Sequence, residues 1–314
     1  MKSMKKLVLA GLVLLASVMV LAGCKNDSVP EVKEPPYLTF KADSEQTLTM
    51  EIEGNYTLNE SLQYSVGGGD WKKLQAETPI SFGGAAGDLR MRGKSLEGMA
   101  KGDVEYAHIV FGYDDVKVSC SGDIRTLVDF ECPTTVDTSE ARFSSLFKNC
   151  SVLTKAPALP AENLADFCYY GMFEGCTSLT SAPALDAETL ADFCYASMFF
   201  GCTSLTSAPT LDAETLADSC YDGMFYGCTN LTNAPELAAE TLAKACYAYM
   251  FYECTSLDSV TMLATDISAE RCLDSWLNYV SETGIFNKAT AMDDKTLQEY
   301  IPSGWTIQAY DSQQ

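Results

Sequence analysis

Cys168 to Phe193 reads CYYGMFEGCTSLTSAPALDAETLADF, and Cys194 to Ser219 repeats it almost letter for letter as CYASMFFGCTSLTSAPTLDAETLADS. CYDGMFYGCTNLTNAPELAAETLAKA follows from Cys220 and CYAYMFYECTSLDSVTMLATDISAER from Cys246, while a degraded copy, RFSSLFKNCSVLTKAPALPAENLADF, begins at Arg142. The chain therefore carries one 26-residue unit five times between Arg142 and Arg271. A fixed period in the twenties is the mark of stacked repeats, each of which buries its apolar face only against its neighbours.

The columns assign a job to each position. Leu190, Cys194, Met198 and Cys202 recur every fourth residue, with Tyr195 and Phe199 beside them. That spacing predicts one face of a short helix. Asp186 is its expected N-cap, with Glu188 near the positive helix end. Gly175, Gly201 and Gly227 are expected to stop the helix in the left-handed conformation, as is Asn149 in the first copy, and Glu253 departs from this pattern. A short strand is expected next, with Leu205, Ala208 and Leu211 inward and Pro157, Pro183, Pro209 and Pro235 ending the strands, since proline lacks the ladder N–H. One strand plus one helix per copy predicts an α/β solenoid with a parallel sheet.

The block MF-x-G-C-T-S-L-T-x-A-P and the following E-T-L-A resemble the BspA-like branch of leucine-rich-repeat proteins, found on the surfaces of gut and oral anaerobic bacteria. The likeness is strongest from Cys168, Cys194 and Cys220 and covers roughly 140 residues. LQYSVGGGDWKKL and IPSGWTIQ look like segments that flank such repeats. The resemblance implies a surface protein used in adhesion, binding host matrix proteins, mucosal glycoproteins or other bacteria.

Five regions are expected. Residues 1–23 form a leader, with Lys2, Lys5 and Lys6 before the apolar run Leu7 to Leu21. Leu21-Ala22-Gly23-Cys24 resembles a lipoprotein signal box, which makes Cys24 the lipidated residue and places the protein on the outer membrane or cell surface. Residues 24–36, with three prolines, read as a solvated tether. Residues 37–130 alternate in short runs separated by turn residues, as in a small antiparallel β-sandwich of about seven strands. Residues 131–272 hold the leucine-rich-repeat solenoid, with Leu127 to Glu140 covering its first end, and residues 273–314 form the other cap, expected as a helix over Leu273 to Val280 and strands near Ile285-Phe286 and Trp305 to Ala309.

Composition narrows the function. Loss of the three leader lysines takes the formal charge from −22 to −25. So acidic a chain repels nucleic acid and anionic lipid alike, so membrane attachment is expected through lipid on Cys24. His108 is the sole histidine, which excludes a His-pair metal site or proton relay, and it reads as a strand residue. No CxxC spacing is present, so no metal or other cofactor is expected.

Ten cysteines form two columns: Cys150, Cys176, Cys202, Cys228, Cys254, and Cys168, Cys194, Cys220, Cys246, Cys272. An exported chain invites disulfides. Within one helix, though, Cys168 and Cys176 would stand roughly 12 Å apart, and five members of a column cannot all pair. Buried thiols are the expectation. Glu162, Glu188, Glu214, Glu240 and Asp266 form an acidic column, read as solvated helix-start carboxylates or, alternatively, as a strip for cations or basic ligands. Tyr169, Tyr195, Tyr221 and Tyr247 form a column of rings, read as packing ahead of a contact strip.

No nucleophile–base or acid pair stands out, so a non-enzymatic binding protein is expected. Its partner-facing side is the strand side, with Thr180, Ser181, Thr206, Ser207, Thr232 and Asn233, where the first copy has Thr154 and Lys155. The alternative is a glycan-binding surface lipoprotein for nutrient capture, for which Trp71 is the one tryptophan candidate on the β-domain.

Overall fold

The computed structural model describes residues 37–310; the leader, Cys24 and the tether lie outside them. The described chain is mostly strand, with a four-stranded parallel sheet and almost no helix. The first eight strands are β1 (Leu38–Lys41), β2 (Gln46–Glu53), β3 (Gln63–Val66), β4 (Lys72–Lys73), β5 (Ile80–Phe82), β6 (Leu89–Arg92), β7 (Tyr106–Phe111) and β8 (Val118–Ser121). They account for each expected alternating run, and the two-residue β4 adds to them. One sheet runs β4-β3-β6-β1-β8 and continues into β9 (Leu153–Lys155), while the other is β5-β2-β7. In β2, Leu48 and Met50 are buried and the residues between them are not, as the period of two requires. The two sheets meet through the rings of Phe40 and Phe111, 6.2 Å apart. Gln46 is fully buried yet satisfied, because its amide donates to the carbonyls of Tyr113 and Val116 and accepts from their loop.

The first repeat copy joins this region without a break. Strand β9 pairs in parallel with β8, and Ile109 of β7 donates to the carbonyl of Leu146 at 2.8 Å. One continuous apolar core runs from Leu38 to Trp305.

Within the copies the expected helices do not form. Among the described residues the only α-helix is α1, the four residues Asp294–Leu297. The apolar period of four belongs instead to a ribbon of consecutive turns. In the copy from Cys168, the amides of Cys168, Tyr170, Met172, Glu174 and Cys176 each bond the carbonyl three residues back. The amides between them, those of Phe167, Tyr169, Gly171, Phe173 and Gly175, donate to Asp192, Cys194, Ala196, Met198 and Phe200 of the next copy at 2.8–2.9 Å. An α-helix uses its amides within itself. This ribbon uses every second one to hold its neighbour.

Positive φ recurs at every fourth residue, at Phe167, Gly171 and Gly175 and again at Phe193, Ser197 and Gly201. That is what a turn with φ > 0 at its third residue demands. Gly175, Gly201, Gly227 and Asn149 therefore do take the expected left-handed conformation, and Glu253 shares it at φ 60°. They mark links in the ribbon, with no helix to stop. Asp186 is accordingly not an N-cap, and the segment Leu273 to Val280 is the same ribbon, with positive φ at Ser275 and Tyr279. A four-residue turn returns the same positions to the core each time, so Cys168 with Tyr169, Met172 with Phe173, and Cys176 are all buried.

The parallel sheet lies across the later copies: β10 (Asn233–Leu237), β11 (Ser259–Met262), β12 (Gly284–Lys288) and β13 (Trp305–Ala309), in that order. Leu237, Val260, Met262 and Phe286 turn inward. The matching segments after Cys176 and Cys202 form no strand and are tied by bridges such as Leu159 to Leu185. Pro235 does not end its strand. It sits inside β10, where the register slips between Asn233 and Glu236, and β10 is an edge strand that tolerates the missing donor. At the far end Trp276 and Trp305 close the core, their indole N–H groups donating to the carbonyls of Tyr300 and Ser281 at 2.9 Å.

Leu205 is fully buried and the adjacent Thr206 is exposed. Leu205→Ala should therefore cost about 2–5 kcal/mol in denaturant unfolding, and Thr206→Ala under about 0.5 kcal/mol. Equal losses would mean that the segment faces the other way.

Candidate functional site

The thiol columns are the most regular polar feature of the interior. Cys176, Cys202, Cys228 and Cys254 place Sγ 3.0–3.1 Å from the carbonyl of Phe147, Phe173, Phe199 and Phe225 in the preceding copy. Cys150 makes the same bond to Ile109 of β7, which stands where a preceding copy would. The thiol therefore donates to a carbonyl between copies. All ten column cysteines are free and buried. Burial pushes Cys168, Cys202, Cys246 and Cys254 up to about 12. Such thiols are poor nucleophiles.

The Tyr169, Tyr195, Tyr221 and Tyr247 rings are buried and stack at 5.8–6.0 Å, so they pack and offer no contact strip. Beside them Phe147, Phe173, Phe199, Phe225 and Phe251 form a second internal stack at 5.4–5.7 Å. His108 is a strand residue of β7 opposite Glu51. Its Nε2 lies 3.9 Å from the Glu51 and Glu53 carboxylates, and burial lowers its pKa. The acidic column Glu162, Glu188, Glu214, Glu240 and Asp266 is exposed, and it caps no helix. Among the described residues, no cluster of three His, Cys, Asp or Glu is placed to hold a metal ion.

On the strand side, Thr180, Ser181, Thr206, Ser207, Thr232 and Asn233 are all exposed. The structure brings them together across copies. Thr206 N and Oγ1 both lie 3.4 Å from the carbonyl of Thr180 one copy earlier, and within a single copy the Asn233 amide donates to Thr232 Oγ1 at 3.1 Å. Thr154 of the first copy donates to Val118 of β8. The surface continues beyond the residues the sequence singled out. Asn233 pairs with Ser259, and Ser259 with Ile285, which is 44% exposed. Beside that row Gln308 donates to Asn287 at 2.9 Å, and Asn287 donates to Thr261 at 3.1 Å. Tyr310 donates to the Glu236 carboxylate at 2.7 Å. The signal for this extension was weak, because residues 284–310 lie past the last regular copy.

The turn side carries a second feature missed in the sequence. Phe200, Tyr226 and Tyr252 stack at 4.5 and 4.6 Å, half-buried on the surface. Their signal was the variable letter after each Met-Phe pair.

Trp71 of the β-domain is already engaged: Tyr37 packs edge-on to it at 5.0 Å and the Arg92 guanidinium covers it at 4.0 Å. Among the described residues no helix is long and apolar enough to cross a membrane. No protein-family model, characterised protein or solved structure matches the chain.

The thiols give a pH prediction with a definite sign. Their folded pKa values lie above the usual 9, so the stability they contribute is full below pH 9 and is lost as pH rises towards 12. Each should cost up to about 1.4 kcal/mol per pH unit in that window. Melting temperature should be flat near neutrality and fall steeply above pH 9, with thiolate absorbance rising only on unfolding. Alkylation should label the column thiols only in denaturant, with no reductant needed. Thiolate forming in the folded state, or labelling that needs reductant, would contradict this.

Proposed function

We propose that this chain is a non-enzymatic, lipid-anchored surface protein whose repeats form a leucine-rich-repeat solenoid that binds a protein or glycoprotein partner. The observation that carries the reading is the strand-side surface. Exposed hydroxyl groups recur there on adjacent copies, with one amide at Asn233, over a continuous apolar core. A regular polar surface backed by a continuous apolar core suits recognition of an extended partner, because little side-chain freedom is lost on binding. The inter-copy hydrogen bonds and the parallel β10–β13 sheet support the solenoid reading. The BspA-like resemblance supports adhesion to host matrix or to another bacterium. The Leu21-Ala22-Gly23-Cys24 box supports the anchor. Glycan capture is the second reading, and the engagement of Trp71 by Arg92 and Tyr37 leaves it with less to rest on.

Two measurements test this. Cys24→Ala should release the protein from membranes or block processing of the leader, and unchanged detergent partitioning and mass would overturn the anchor. The triple variant Thr180→Ala/Thr206→Ala/Thr232→Ala should weaken binding to immobilised host matrix proteins at least about tenfold while shifting the melting temperature by only about 2 °C. Retained binding would move the site off the strand side. Binding to a glycan array with no matrix binding would favour the second reading.

A further inference from the structure

Three ribbon positions in each copy take positive φ, one of them carrying Phe167, Phe193, Ser219, Ala245 and Arg271, and the remaining two are small in most copies. Of these two, one is Gly171, Ser197, Gly223, Tyr249 and Ser275 in turn, and the other is Gly175, Gly201, Gly227, Glu253 and Tyr279. Most members are glycine or serine. At Tyr249 (φ 54°), Glu253 (φ 60°) and Tyr279 (φ 62°) the chain places large side chains in a conformation that large side chains avoid. Folding does not require them, because other copies build the same ribbon with glycine.

These three residues share one location. They surround Tyr252, the last ring of the stacked row. Tyr226 stacks on it at 4.6 Å, Tyr249 lies 6.0 Å away, and Tyr279 meets it at 5.1 Å and 72°. Tyr279 stays 67% exposed, so much of its ring is open to solvent. Desolvation first, and the Glu253 carboxylate next, push the Tyr226 phenol up, so the carboxylate acts on the same cluster. The chain's own cation Arg271 pairs with Asp274 at 3.1 Å and also donates to the Tyr249 phenol, so one ring of the cluster already meets a guanidinium. The cluster therefore presents one largely exposed ring, three half-buried ones and an exposed carboxylate on a chain of formal charge −22. Ring faces and carboxylates attract cations and repel anions.

We propose that Tyr226, Tyr249, Tyr252, Glu253 and Tyr279 form a docking site for a lysine- or arginine-bearing segment of a protein partner. The site lies on the turn side and does not depend on the strand-side reading. The backbone at Tyr249, Glu253 and Tyr279 is then held in place by the stack of copies, and these side chains meet the ligand.

The test uses the full chain with Cys24→Ala, titrated with an oligolysine peptide and with its fully acetylated counterpart at physiological ionic strength. The unmodified peptide should bind and the acetylated one should not. Glu253→Gly and Tyr279→Gly should each weaken binding about 3- to 30-fold, the range of a desolvated cation–ring or ion contact. Each should hold or raise the melting temperature, by about 1–3 °C, because glycine suits the positive φ. Glu188→Gln and Thr206→Ala should leave peptide binding within about twofold. Binding unchanged in both glycine variants would overturn the proposal. So would melting temperatures lowered by several degrees, which would make the side chains structural, or equal weakening by Glu188→Gln, which would reduce the binding to diffuse charge.

Discussion

Every second backbone amide of the turn ribbon donates to the neighbouring copy, and the rest of the structure depends on that division. The amide of Tyr169 reaches Cys194, that of Tyr195 reaches Cys220, and that of Tyr221 reaches Cys246. A lone copy would leave these donors to water and would gain little from its turns. Each copy is thus a half-finished element until another completes it. The thiols extend the same logic to side chains, since Sγ of Cys202 donates across copies to Phe173. The internal rings follow from the register the amides set: equivalent residues must lie side by side, so Tyr stacks on Tyr and Phe on Phe.

Such a stack must begin and end on something different. At the start, β7 and β8 take the place of a preceding copy: Ile109 receives the Cys150 thiol and β8 pairs with β9. At the end, Trp276 stands where Met250 would recur and packs against Phe251 and Phe286. The strands of residues 284–310 complete the parallel sheet behind it.

Much of this was legible in the sequence, but not the conformation of the copies. The period, the alternating runs of the first region, the inward Leu205 and the outward Thr206 could all be read from residue spacing. Apolar residues at every fourth position fit both an α-helix and a ribbon of four-residue turns, and the helix was the wrong choice. Gly171 and Gly223 carried the deciding signal, since glycine is costly inside a helix and suits the positive φ they adopt. Pro235 misled for a related reason: proline forbids a ladder donor, yet an edge strand with a register slip can do without one. The candidate strand-side residues were readable because each copy repeats them. The aromatic cluster at Tyr252 was not, because it arises where Tyr249, Glu253 and Tyr279 break the repeat.

The ribbon's hydrogen-bond pattern has one direct spectroscopic consequence. Far-ultraviolet circular dichroism of the folded protein should show turn and strand signal with helix confined to a few per cent, as expected if Asp294–Leu297 is the only α-helix among the described residues. A spectrum with about a third of the residues helical, the level of an ordinary mixed domain, would mean that the copies fold as helices and that the inter-copy amide bonds do not exist.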